Sequence, residues 1–395
     1  MSRVEFYRHS ITEADIAAVG DVLRSVFLTT GPRAAAFERA FAERLGVQHV
    51  VTVSSCTSAL FLSLCALGLA PEDEVITTPM TFVATSNAIL HAGAKVRFVD
   101  VEPDTGNIDA RQVEAAISPR TRAVIPVHLY GAMADVLDLA EICRRRSVVM
   151  LEDAAHAAEA ERDGVRPGQL SQAACFSFYA TKNLTCGEGG AVATNDPAMA
   201  DAVRRLRSHG LSKEAAGRYT ERYQHWDMLE LGYKANLSDI NAALLLGQLP
   251  RLEAQRVRRE AIAKRYEEAF ADLPGVSYPR VPPGATSARH LFTIWVPPER
   301  RDQTLAELQD REIGVAVNYR AVHLLAYYQS RFGLARGSFP NAERLGDSTV
   351  TLPLFPLMTD DDQQQVIDAV RAVAAGWARP RSTVAISGAD CLQQT

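Results

Sequence analysis

The stretch HVVTVSSCTSALFLSLCALGLA, residues 49–70, changes character once, and that change decides the fold. Its first residues are β-branched and apolar, as in a strand buried on both faces. Small hydroxyl residues follow, and then an apolar run long enough for a helix. The unit recurs along the chain. DEVITTP, KVRFVDV, RAVIPVHLYG and SVVMLEDAAH read as further strands that are apolar on both faces. TFVATSNAILHAGA and ADVLDLAEICRRR read as helices between them. Such alternation predicts an α/β fold: βαβ units around a mostly parallel central sheet with helices on both sides. Ligands in these folds bind beyond the carboxyl ends of the strands, so functional residues are expected just after the apolar runs.

A chain of 395 residues is too long for one ordinary core. The reading is a large domain over residues 12–250, a smaller C-terminal α+β domain over 251–378, and a loose tail at 379–395. A long helix near residues 239–270 joins the two domains; its Arg and Lys residues read as a solvated face. In the smaller domain VSYPRVPPGATSARHLFTIWV, TLAELQDREI and VAVNYRAVH suggest strand, helix and strand. Hydrophobic residues at 47% and charged residues at 23% match soluble globular proteins, which argues against disorder. A net charge of −5 argues against nucleic acid, which needs a basic face. The N-terminus, MSRVEFYRHSITEADIAAVGDVL, has no apolar core of signal-peptide length before its charges begin, and no apolar run is long enough to span a bilayer. The six cysteines (56, 65, 143, 175, 186 and 391) include no CxxC pair, so neither a disulfide framework nor a metal site is expected. The expected location is the cytoplasm.

Candidate chemistry gathers where the strands end. Glu152, Asp153 and His156 follow VVML, and a carboxylate leaving an apolar strand is costly unless a cation meets it. Lys182 lies 29 positions beyond Asp153, between FSFYAT and the glycine-rich TCGEGG. Taken alone, the two residues could equally form a structural ion pair, or Lys182 could simply snorkel to the surface. Pyridoxal phosphate needs this set of parts: a lysine to form a Schiff base, and an acid to keep the ring nitrogen protonated. Its phosphate needs backbone donors such as a helix N-terminus, which SSCTSAL at residues 54–60 would supply. Its flat ring wants an aromatic partner, and Phe82 in PMTFVATSN is placed for that, although a core phenylalanine is the commoner meaning.

With these parts in view, the chain resembles the sugar aminotransferase family of pyridoxal-phosphate enzymes, which have the aspartate aminotransferase type of fold. The likeness runs from TTGPRAAAFERAFAERLG to TLPLFPLMTDDD, with SSCTSAL, TPMTFVATSNAI, LEDAAHA, FSFYATKNLTCGEGG and GYKANLSDINAALLLGQL between them. By position, the resemblance implies that Lys182 forms the Schiff base, Asp153 pairs with the pyridine nitrogen, His156 sits near the ring hydroxyl, with a satisfied core histidine the alternative, and Phe82 stacks on the ring. It implies that Thr57, Ser58 and Ser177 bind phosphate, with a structural serine the alternative for Ser177. Lys234 would reach the phosphate of a neighbouring subunit, so that a homodimer shares its sites. Asn236 stands where Arg is frequent, which leaves the amino donor's carboxylate partners open. Gly187, Gly189 and Gly190 would allow close backbone approach, and Cys186 would be a packing residue. Thr30, Tyr319 and His323 are candidates for a sugar pocket, with packing the alternative for Tyr319; Arg289 and His290 have no assignment.

The resemblance further implies transfer of an amino group from L-glutamate to the C4 keto group of a nucleotide-linked, UDP-type ketosugar. Segments point both to members that make UDP-4-amino-4-deoxy-L-arabinose and to members that aminate UDP-linked 4-keto-6-deoxy-hexosamines. A dehydratase of the same family would carry His in place of Lys182. A non-catalytic sensor usually adds a DNA-binding module. A nicotinamide enzyme would need a G-x-G-x-x-G turn, which SSCTSAL is not.

Overall fold

The computed structural model describes residues 3–212 and 225–377. The tail at 379–395, with Cys391, lies outside these residues. The central sheet has seven strands: β1 (His49–Val53), β2 (Glu74–Thr77), β3 (Lys95–Phe98), β4 (Thr121–Ile125), β5 (Val149–Asp153), β7 (Ala173–Ser177) and β8 (Gly190–Thr194). A short β6 (Glu161–Arg162) pairs instead with β9 (Ala285–Thr286). The order across the sheet is β1-β8-β7-β5-β4-β2-β3. β8 runs antiparallel to both neighbours, and the other pairings are parallel.

Side-chain alternation shows why the strands read as apolar on both faces. Ala174 and Phe176 of β7 and Ala191 and Ala193 of β8 face one core, with Phe37 and Phe41 of the helix Pro32–Leu45. Cys175 and Val192 face the other, with Leu60, Leu62 and Leu64 of the helix Cys56–Ala66. The pattern fails at β3. Lys95 is exposed there and pairs with Glu72 at 2.6 Å, because β3 is an edge strand and a charged edge resists further pairing.

A third core lies in the C-terminal half. It joins β10 (Phe292–Trp295), β11 (Thr349–Leu352) and the helices Leu252–Phe270, Arg301–Gln309 and Asp360–Trp377. Val4 from the N-terminus enters this core and bridges to Ile313. Three expectations need correction here. VAVNYRAVH is not a strand; it touches β11 only through the single bridge Ala316–Thr351. The joining helix is two helices, Asp239–Gln248 and Leu252–Phe270, separated by a 3₁₀ turn at Leu249–Arg251 that contains Pro250. Its basic face is not wholly solvated either, since Arg259 is fully buried and ion-paired with Glu159.

Candidate active site

The register of the sheet brings the candidate residues to one edge. Gly190, which opens β8, stands opposite both Val53 at the end of β1 and Ser177 at the end of β7, while Asp153 ends β5 beside Cys175. Beyond this edge lies a cavity of about 530 Å³ whose wall includes Thr57, Phe82, Asp153, His156, Ser177 and Lys182.

One corner of the cavity is built from the strand-to-helix turn. Ser55 caps the helix Cys56–Ala66, its Oγ accepting from the Ser58 N–H at 3.0 Å. Ser58 Oγ lies 3.0 Å from the hydroxyls of both Ser54 and Ser55, so Ser58 braces the turn, whereas Ser55, Cys56 and Thr57 reach the wall. A Cβ on Gly190 would come within 2.4 Å of the Ser55 carbonyl carbon and 2.6 Å of the Cys56 nitrogen. Only glycine lets β8 lie this close to the helix start.

The Asp153 carboxylate, 3.8 Å from Cys56 Sγ at the helix start, is held ready for a cation. It is 6% exposed, its Oδ2 accepts from Thr85 Oγ1 at 2.7 Å, and its Oδ1 accepts from the Ala155 N–H at 3.1 Å. Phe82 is 56% exposed, so it is not a core phenylalanine; its ring leans on Tyr319 with centroids 5.7 Å apart. Lys182 is half-buried, and this burial lowers its amine from an ordinary 10.5 to about 8. Nζ lies 3.4 Å from His290 Nε2, and the Lys182 carbonyl accepts from the Tyr7 hydroxyl at 3.1 Å.

His156 Nδ1 accepts from the Tyr130 N–H at 3.2 Å, so the neutral ring carries its proton on Nε2, 3.1 Å from the Tyr319 hydroxyl. Burial, aided by the Lys182 charge, holds His156 well below the usual histidine range. The same two causes, with His156 and Arg259 added, depress His290.

The chain matches the DegT/DnrJ/EryC1/StrS aminotransferase family over residues 9–371. It belongs to that family. It is 42% identical over 372 residues to the spore coat polysaccharide biosynthesis protein SpsC of Bacillus subtilis, covering 93% of this chain and 96% of SpsC. Among solved structures it is similar to PseC of Helicobacter pylori, an aminotransferase involved in the biosynthesis of pseudoaminic acid. That likeness has a TM-score of 0.88, 30% identity and coverage of 95% of this chain and 100% of PseC. The PLP form of Spr1654 from Streptococcus pneumoniae gives 0.88 and 30%, covering 95% and 99% of the two chains. Spr1654 has also been solved in its apo and PMP forms. The protein is therefore a sugar aminotransferase, a transaminase with pyridoxal phosphate as cofactor and the α/β fold of that class.

The site of this aminotransferase fits the cofactor. One cavity collects a lysine amine of lowered basicity, a carboxylate oriented by three donors, an exposed aromatic face and a serine-capped helix start. Other expected residues fall elsewhere. Lys234 is exposed and donates to Asn236, which in turn donates to Thr29 Oγ1 at 3.1 Å and Thr30 Oγ1 at 2.8 Å. This cluster stands beside the helix start but outside the cavity lining. His323 is corrected as a pocket residue: it is 0% exposed, its Nε2 lies 3.0 Å from Glu343, and Phe339 covers it edge-on. Tyr319 does line the cavity rather than pack away from it. Arg289 is tied to Glu260 and Glu267, each at 2.8 Å. Buried Cys186, with Sγ 3.2 Å from the Glu188 carbonyl, is a packing residue, and burial pushes its thiol up to about 12.

Phe6, Tyr7, Thr85, His290 and Asn318 were not singled out as site residues from sequence. Thr85 alone carried a signal, as a hydroxyl three residues after Phe82 in the first turn of the helix Ala84–His91. Among the described residues, no helix is long and apolar enough to cross a membrane, and no cluster of three His, Cys, Asp or Glu could hold a metal.

Proposed function

We propose that the enzyme moves an amino group from L-glutamate to the C4 keto group of a nucleotide-linked ketosugar, with Lys182 as the cofactor's anchor. The observation that carries the reading is the placement of the Lys182 amine and the braced Asp153 carboxylate on the wall of one cavity. When bound, pyridoxal phosphate supplies an aldehyde for amine exchange and a ring that accepts electron density from a carbon losing its proton. Lys182 Nζ is the group that would hold the cofactor through that aldehyde, and the donor's amine would exchange with it. Once free, the same amine, lowered by burial to about 8, would be placed to take the proton from the donor's α-carbon and to return one. Asp153 holds the proton on the ring nitrogen. Thr57, Ser177 and the helix start would hold the phosphate, Phe82 would cover one ring face, and His156 would stand at the ring hydroxyl.

The nucleotide is supported by a second groove of about 370 Å³ that shares Thr81, Phe82 and Tyr319 with the first cavity and carries Arg301 and Arg320. Arg320 is exposed and, among the described residues, has no hydrogen-bond or ion-pair partner, which suits a diphosphate arm. Lys234 and Thr30 belong to the proposal as residues that serve the site of a second copy in a homodimer. Residues 12–250 form its large unit, and a smaller one begins at residue 251, built on the C-terminal core.

The test has two parts. Borohydride reduction of the holoenzyme followed by peptide mapping should label Lys182. Nitrogen-15 glutamate should then label the amine of a UDP-linked 4-ketosugar and leave the free sugar untouched. A label on another lysine, or equal use of the free sugar, would overturn the reading.

A further inference from the structure

Asn183 follows Lys182 directly, and its amide is fixed by what surrounds it. Its Nδ2 donates to Glu159 Oε2 at 3.0 Å and to the Ala288 carbonyl at 2.9 Å, which uses both hydrogens. Glu159 is held in turn by Arg259, whose Nε also donates to the Ala288 carbonyl at 3.2 Å. Asn183 Oδ1 is therefore the atom that faces His290 Nδ1, at 3.3 Å. An amide oxygen only accepts, so Nδ1 carries the imidazole proton. Nε2 of the same ring then presents a lone pair, 3.4 Å from Lys182 Nζ. The ring is buried and packs on His156 with centroids 4.5 Å apart, leaving it no other orientation that keeps these bonds.

Taking Lys182 as the cofactor lysine, we propose that His290 is a positioning residue for transamination. The fixed chain Arg259–Glu159–Asn183 sets its tautomer, and its Nε2 holds one N–H of the Lys182 amine. The amine's own lone pair is left free for the cavity. The chain thus performs a task that neither a charged histidine nor the opposite tautomer could perform, since both would aim an N–H at the amine.

The experiment uses cofactor-free protein and maps the pH at which trinitrobenzenesulfonate modifies Lys182. His290→Leu removes the acceptor that favours the ammonium form, so the midpoint for Lys182 should fall by about one pH unit. Asn183→Ala keeps the ring but frees its tautomer, and should move the midpoint in the same direction. His290→Gln returns an oxygen near the place of Nε2 and should recover most of the shift. The rate of the glutamate half-reaction should follow the same order across the variants. An unchanged midpoint in Asn183→Ala, or a Gln variant no better than Leu, would overturn the proposal. A borohydride label found away from Lys182 in the unaltered holoenzyme would instead remove its premise, so the two failures are distinguishable.

Discussion

Cofactor capture by the stripped enzyme should depend on pH in a way set by the burial of Lys182. The amine must be neutral to attack the aldehyde. At pH 7 an amine of pKa about 8 is neutral about one time in ten, whereas an ordinary lysine at 10.5 is neutral about once in 3,000. Burial therefore gives a gain of about 300-fold at that pH. The capture rate, followed by stopped-flow absorbance, should rise about tenfold per unit below pH 8 and flatten above it. Burial is the main cause of the lowered basicity, and the Asp153 charge opposes it by favouring the ammonium form. Asp153→Asn should accordingly shift the bend to lower pH by up to about a unit, although the variant will bind the cofactor less tightly. A rate that climbs steadily through pH 10 would mean that Lys182 keeps its ordinary basicity, and the reasoning from burial would fail.

Thr85→Val removes a hydrogen bond to an ionised carboxylate, worth about 1.5–3 kcal/mol, and should weaken cofactor affinity about 10- to 100-fold in equilibrium dialysis. Arg320→Ala should raise KM for the nucleotide-linked sugar about tenfold or more while leaving the glutamate half-reaction unchanged in single-turnover measurements. Arg259→Met leaves Glu159 buried without its cation and should cost about 3–5 kcal/mol in urea unfolding of the holoenzyme. Lys182→Met should stabilise the cofactor-free protein at pH 7. The folded state holds this amine's proton less tightly than the unfolded chain does, so the penalty is full below about pH 8 and fades as pH rises to 10.5.

The sheet edge was legible because its chemistry follows directly after buried strands. Ser54 to Ser58, Phe82, Asp153, Ser177 and Lys182 all interrupt an apolar run with a polar, aromatic or small residue, and that contrast is local. The other half of the site was not legible, because chain segments far apart in sequence close over it. Tyr7 reaches the Lys182 carbonyl across 175 positions and His290 reaches the amine across 108, and neither segment has a period or motif. Arg259 shows the same limit from the opposite side. Within RLEAQRVRREAIAKRYEEAF a buried, paired guanidinium looks no different from a solvated one, since its partner Glu159 lies 100 positions away. His323 misled for a similar reason: the residue that satisfies it, Glu343, is on a separate helix, Pro340–Ser348.

These distant contacts converge on the segment that carries Lys182, and they explain why the joining helices belong to the catalytic apparatus. The Phe178 N–H donates to the Gly189 carbonyl at 2.8 Å and the Cys186 N–H to the Phe178 carbonyl at 3.0 Å, which closes the loop on itself. From the helix Asp239–Gln248, Asn241 Nδ2 donates to the Cys186 carbonyl at 2.8 Å, and Gln248 bonds both the N–H and the carbonyl of Thr185 at 3.2 and 2.7 Å. The next helix contributes Arg259, and the N-terminal segment contributes Tyr7. A lysine that must leave its cofactor and then meet a carbon atom needs a free side chain on a fixed backbone. Glycines alone would make this loop loose; the buried amides and the carboxylate around it supply the restraint. Gln248 and Arg259 lie on either side of the 3₁₀ turn at Pro250, so both helices of the joining segment hold the lysine loop, Gln248 directly at Thr185 and Arg259 through Glu159 and Asn183.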